Sequence, residues 1–262
     1  MVSVGAALED RPDLAIGNVV GSNIANILLI LGLAAVITPL SVQERVVRRD
    51  AVVMLLASAC LAVLAMLGSI DRWAGALLTL ALGAFVVITW VSGRREATVT
   101  KAYAEEAEEV AKTLPGWKAV LVTVAGLVLL IVGARMLVTG SVDIARGLGV
   151  PEAVIGLTLV AVGTSLPELA TSTVAAVRGH TDVAVGNVVG SNIFNILGIV
   201  GITALLTPLP FAGRMADIDV WVMLGVALAG ALMMRTGWAL HRREGVLCLA
   251  AYGGYSTYLF VA

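Results

Sequence analysis

The chain has 262 residues, of which 59% are hydrophobic and only 13% charged, with 28 glycines and a mean hydropathy of +0.98; this excludes an ordinary soluble domain and places the chain in a bilayer. Its 17 Lys+Arg against 18 Asp+Glu give a net charge of -1, which offers nucleic acid no excess of positive charge and sets that class of partner aside. Cys60 and Cys248 both lie in apolar runs, and two isolated thiols make neither a disulfide framework nor a zinc cluster.

Crossing the hydrocarbon as a helix takes roughly 20 apolar residues. Such stretches predict eight spans, near residues 14–39, 50–69, 72–92, 118–140, 153–177, 183–207, 218–235 and 245–261. The fold class is therefore an all-α polytopic membrane protein. The fourth span keeps a helical pattern through Ser141 and Arg146 before Gly147 and Gly149. Connections are short except for residues 93–117, where Arg94, Arg95, Lys101, Glu105, Glu106, Glu108, Glu109 and Lys112 predict a solvated surface helix. The acidic run there lacks the alternating oxygen ligands and turn glycine of an EF-hand loop. If the spans alternate, one side collects Arg45, Arg48, Arg49, Arg94, Arg95, Lys101, Lys112, Lys118, Arg178, Arg235, Arg242 and Arg243. The other collects Arg11, Arg72, Arg146 and Arg214. Positive charge stays in the cytoplasm, so a multi-pass protein of the cell inner (plasma) membrane with a cytoplasmic linker is expected. Trp73, Trp90, Trp117, Trp221 and Trp238 fall near span ends and read as interfacial anchors.

An internal repeat organises the chain. Residues 13–40 and 182–209 match at a constant offset of 169, with 19 of 28 positions identical. Gly17-Asn18-Val19-Val20-Gly21-Ser22-Asn23-Ile24 recurs as Gly186-Asn187-Val188-Val189-Gly190-Ser191-Asn192-Ile193, and Asn26 recurs as Asn195. The repeated span is the first in one copy and the sixth in the other, so five crossings separate them and the copies run in opposite directions. That is an inverted repeat, with a binding site expected near the midplane between the copies. The expected organisation is residues 1–92 as an incomplete first half, 93–117 as the linker and 118–262 as the second half.

The chemistry points to residues 156–169, where Gly163, Thr164, Ser165, Pro167 and Glu168 put polar groups, a proline and an acid inside a span. Pro167 cannot donate to the carbonyl of Gly163, and backbone opened at this depth is tolerated only where it is buried in protein or lines a cavity. Freed carbonyls and hard side-chain oxygens are what Na⁺ or Ca²⁺ requires. A carboxylate here is costly unless it is protonated or neutralised by a cation; pairing with Arg135 or capping of a broken helix are the structural alternatives. In the repeated span, Asn187, Ser191 and Asn195 lie along one helical face, as do Asn18, Ser22 and Asn26. Gly186 with Gly190, and Gly17 with Gly21, permit close helix contact. For Asn18 and Asn187, interhelical hydrogen bonding is as good a reading as ligation.

At Gly163-Thr164-Ser165-Leu166-Pro167-Glu168 together with Gly186 through Asn195, the chain resembles a sodium/calcium exchanger of the calcium/cation antiporter superfamily, prokaryotic type. The resemblance implies two inverted five-helix halves, so that the eight spans present correspond to helices three to ten of ten. It also implies that Thr164, Ser165, Glu168, Ser191, Asn195 and the carbonyl of Ala161 are ion ligands from the second repeat, with Ser22 and Asn26 from the first. The transported ions would be Ca²⁺ and Na⁺, with no prosthetic group and no enzymatic chemistry. Subtracting 169 from Glu168 gives position -1, so the partner acid of the first repeat would fall just before Met1. With one carboxylate the chain is expected to exchange calcium poorly alone, and its coding sequence to continue upstream with a Ser/Thr-Leu/Val-Pro-Glu element. Where some members carry Asp at the end of the second stripe, this chain has Asn195. Proton/calcium or another cation/proton exchange, with Glu168 carrying the proton, is the runner-up; a non-transporting membrane fragment is the third alternative.

Overall fold

The computed structural model describes residues 2–93 and 116–261; nearly all of the 93–117 linker, and the surface helix expected on it, lies outside them. Ten helices are described: α1 (Val2–Leu8), α2 (Pro12–Ile37), α3 (Val46–Met66), α4 (Arg72–Gly93), α5 (Gly116–Gly147), α6 (Glu152–Thr164), α7 (Leu166–Val177), α8 (Thr181–Leu206), α9 (Met215–Arg235) and α10 (Arg242–Val261). Four two-residue strands, β1 (Leu40–Ser41), β2 (Ser69–Ile70), β3 (Leu209–Pro210) and β4 (Ala239–Leu240), lie in the connections.

Six of these helices are long and apolar enough to span a membrane, and α6 with α7 makes a seventh broken one, bent by 47°. The sequence predicts eight. The eighth stretch is helical as α10, 20 residues long, but Arg242, Arg243, Glu244, Gly253, Gly254, Ser256 and Thr257 dilute its apolar character, and it is not among those that qualify. The fourth span does run on to Gly147. All five tryptophans are exposed.

The repeat extends from letters to backbone. α2 begins with Pro12 and Asp13 and α8 with Thr181 and Asp182, where an acid complements the positive end of the helix. The turn before each contains a left-handed residue, Asp10 at φ 60° in one copy and Gly179 at φ 83° in the other; both types tolerate that region. Both spans loosen into π-helical turns, at Asn26–Leu31 and Phe194–Val200, as do α3 at Val46–Asp50 and α9 at Met215–Asp219. Such turns recur at functional sites.

The halves exchange partners about a pseudo-twofold axis. β1 pairs antiparallel with β4, and the counterpart β3 pairs antiparallel with β2. A Cβ on Gly245 would meet Gly32 O at 2.6 Å, and one on Gly75 would meet Gly201 O at 2.8 Å, so α10 lies on α2 as α4 lies on α8. Asn23 bonds Asn195 while Asn26 bonds Asn192, so α2 and α8 cross antiparallel, as an inverted repeat requires. By contrast α2 runs parallel to α6, since Gly17 approaches Gly156 and Ser22 reaches Thr164. The tightly packed centre holds Ile24, Met54, Ile193 and Met223, while the outer faces present Leu80, Leu129 and Leu247. Lipid tails solvate such side chains as well as a core would.

Candidate cation-binding site

Four asparagines sit where α2 and α8 cross. Asn26 Nδ2 donates to Asn192 Oδ1 at 2.9 Å, and Asn195 Nδ2 donates to Asn23 Oδ1 at 3.1 Å. Asn192 Nδ2 also faces Met54 Sδ, and Asn23 Nδ2 faces Met223 Sδ, both at 3.6 Å. Met54 and Met223 are themselves 169 apart, so these four contacts obey the twofold; Asn192 Nδ2 adds a longer bond to Asn23 O at 3.4 Å. An amide orphaned in an apolar interior costs about 1–3 kcal/mol, so these reciprocal bonds fix the crossing point and register of the two helices. Asn26 Oδ1 remains buried without a partner.

On the α2 side the predicted ligands satisfy one another. Ser22 Oγ donates to Ala161 O at 3.3 Å and lies 3.2 Å from Thr164 Oγ1, which donates to Asn18 Oδ1 at 2.8 Å. Asn18 Nδ2 in turn donates to Ser3 Oγ at 2.7 Å. Gly21 makes this possible: a Cβ there would collide with the Leu157 backbone, so only glycine lets α6 approach. The break falls at buried Ser165, with φ -94° and ψ 4°, whose carbonyl accepts from Leu169 N at 2.9 Å.

On the α8 side the same motif borders a cavity of about 310 Å³ lined by Glu168, Gly186, Asn187, Gly190, Ser191, Phe194 and Asn195. Neither Gly186 nor Gly190 has anything within 4 Å of where a Cβ would sit. Asn187 Nδ2 donates to Ser172 Oγ at 2.9 Å and to Glu168 O at 3.3 Å, the first bond mirroring Asn18 with Ser3. Glu168 Oε2 is buried with no hydrogen-bond partner. Arg135 does not reach it: among the described residues Glu168 forms no ion pair, and the structural alternative of an Arg135 pair is not realised.

The eight predicted residues thus form two groups joined by the asparagine cluster. Ser22, Ala161 and Thr164 meet under cover on one side, Ser165 is buried at the break beside them, and Glu168, Ser191 and Asn195 line the open cavity; Asn26 is in the cluster. Two participants, Asn23 and Asn192, escape the four-residue stripe because they lie one position beyond Ser22 and Ser191; their identity in both copies is the signal that could have found them. Among the described residues no group of three or more His, Cys, Asp or Glu could hold a metal. Among the described residues the site offers the Glu168 carboxylate amid neutral hydroxyl, amide and carbonyl oxygens, hard ligands suited to Na⁺ or Ca²⁺.

Comparison with known proteins agrees with this geometry. The profile of the sodium/calcium exchanger protein family matches residues 1–91 and 118–261. The putative antiporter CaxA of Alkalimonas amylolytica is 37% identical over 263 residues, covering 99% of this chain and 82% of that protein. The sodium/calcium exchanger MaX1 of Methanosarcina acetivorans is 32% identical, covering 98% and 83%. A structure of the sodium-calcium exchanger NCX_Mj soaked with Na⁺ and Sr²⁺ superimposes with a TM-score of 0.76 at 32% identity, covering 96% of this chain and 78% of that one. With both halves matched and relatives of this similarity, the chain belongs to the sodium/calcium exchanger family of multi-pass membrane antiporters, and is a transporter rather than an enzyme.

Proposed function

We propose that the protein exchanges Na⁺ for Ca²⁺ by alternating access, with Glu168 supplying the charge that holds the ion and Ser191, Asn195, Thr164, Ser165, Ser22, Asn26 and the Ala161 carbonyl supplying neutral oxygens. The observation that carries this reading is Glu168 Oε2, buried without a partner in a residue that borders a polar cavity with Ser191 and Asn195. A carboxylate in the interior of a bilayer costs about 2.5–3.5 kcal/mol on insertion scales, and a bound cation offsets that cost. Na⁺ and Ca²⁺ compete for overlapping oxygens. The empty site, with its charge uncompensated, resists reorientation, and this resistance couples the two fluxes. The Ser22–Thr164–Ala161 network is a set of oxygens already gathered, and moving α6 relative to α2 would redistribute them between each other and an ion.

The inverted halves support a midplane site reached alternately from each side. The basic end of the bundle, where Arg242 donates to Ile37 O and Gln43 to Asp182, faces the cytoplasm in this reading, with the linker on the same side.

The test is calcium uptake into vesicles driven by an imposed sodium gradient, using protein expressed from its genomic reading frame with any codons upstream of Met1. Uptake that follows the sodium gradient and is lost in Glu168→Gln is the expected result. Uptake that follows a pH gradient and ignores sodium selects proton exchange instead, and normal transport by Glu168→Gln overturns the ligand assignment.

A further inference from the structure

The two halves differ sharply away from the site. In the second half, the start of α9 is tied to α10 by polar contacts: Tyr255 Oη donates to the fully buried Asp219 at 3.0 Å, and the Arg214 guanidinium lies 4.8 Å above the Tyr258 ring. The counterparts of Arg214 and Asp219 are Arg45 and Asp50 at the offset of 169. The last helices align at 170, as the glycine pair Gly75 and Gly245 indicates, so Tyr255 and Tyr258 are replaced by Phe85 and Ile88. Neither replacement side chain can make a polar tie, and a polar contact that does join this region, from Arg45 Nη2 to the Thr89 backbone carbonyl at 3.5 Å, is a long one. In place of a closed seam, α3 and α4 border an apolar groove of about 560 Å³, from Arg49 and Ile88 at one end to Leu64 and Ala74 at the other.

Three features identify an occupant. The groove follows α3 from Arg49 to Leu64, roughly 22 Å at the helical rise, the length of one extended acyl chain. Its wall includes Cys60, which is exposed, so it opens to the lipid. At its mouth Arg49, which lines the groove, uses Nε on Asp50 Oδ1 at 2.6 Å and keeps 24% of its side chain exposed. Arg48 and Arg45 add positive charge at the same end. We propose that this groove binds one acyl chain of an anionic phospholipid, with the phosphate held by the Arg49 guanidinium. Arginine presents paired donors to phosphate oxygens, and phosphatidylglycerol is the probe of choice.

The experiment is native mass spectrometry of the detergent-solubilised protein titrated with phosphatidylglycerol and, in parallel, phosphatidylcholine. Phosphatidylglycerol should be retained preferentially. Arg49→Gln should weaken that retention roughly tenfold, the loss of one charge-assisted hydrogen bond. Ala81→Phe, which fills the groove without touching any charge, should do the same, and Arg48→Gln, whose partner Glu44 is on the exposed surface at 2.6 Å, should not. Because Ala81→Phe removes no ion-pair partner, it keeps the test valid where Arg49→Gln fails to fold. Equal retention of the two lipids overturns the proposal. So does a phosphatidylglycerol preference that survives Ala81→Phe, because the chain would then lie elsewhere.

Discussion

The Gly17/Gly21 face of α2 and the Gly186/Gly190 face of α8 are spelled almost identically and meet opposite surroundings. On α2 the glycines admit the backbone of Gly156 and Leu157, and the adjoining Ser22 and Asn18 are absorbed into hydrogen bonds with Ala161 and Thr164. On α8 the glycines have nothing within 4 Å, and Ser191 and Asn187 border a cavity with Glu168. The segment of α6 that covers Gly17 and Gly21 has its counterpart, at the offset of 169, before position 1, so the difference shows what a third helix does to a small-residue face: it turns the face into a seam.

That contrast can be broken by substitution. Gly21→Leu should have the largest effect, at least about 3 kcal/mol of overpacking against the α6 backbone, read as lost resistance to unfolding in detergent and denaturant. Asn26→Ala comes next, at about 1.5 kcal/mol, near the upper end for a hydrogen bond between membrane helices, because it strands Asn192 Oδ1 at the crossing. Thr164→Val should cost about 1 kcal/mol through loss of the bond to Asn18, and Asn187→Ala a similar amount through loss of its bond to buried Ser172. The smallest effect belongs to Gly83→Ala on the exposed side of α4, within about 0.5 kcal/mol, since a methyl there meets nothing within 4 Å among the described residues. Equal destabilisation by Gly21→Ala and Gly83→Ala would erase the distinction between a packed and an open glycine.

How much of this was legible in the sequence follows the same division. The inverted plan, the break around Ser165, and the acid inside it come from the offset of 169 and from Pro167, because both act through the chain's own backbone. The partition of the ligands does not, because it depends on helix packing: Ser22 is covered by α6, while among the described residues its twin Ser191 borders a cavity with Glu168. Asn23 and Asn192 fall outside a stripe counted in fours, and they find Asn195 and Asn26 only where α2 crosses α8. Met54 and Met223 are hidden in apolar runs, where thioethers look like packing. The lipid groove depends on a change of offset to 170 between α4 and α10, which pairs Phe85 with Tyr255 and is invisible until both glycine contacts are seen.

The most direct test of the central claim is calcium-dependent thermal stabilisation of the protein, expressed with any native upstream codons, for the natural sequence against Glu168→Gln. A ligand that binds only the folded state raises its stability with concentration. The account predicts that calcium stabilises the natural protein, that sodium competes with it, and that Glu168→Gln shows neither response while remaining folded. Undiminished stabilisation of Glu168→Gln by calcium would contradict it.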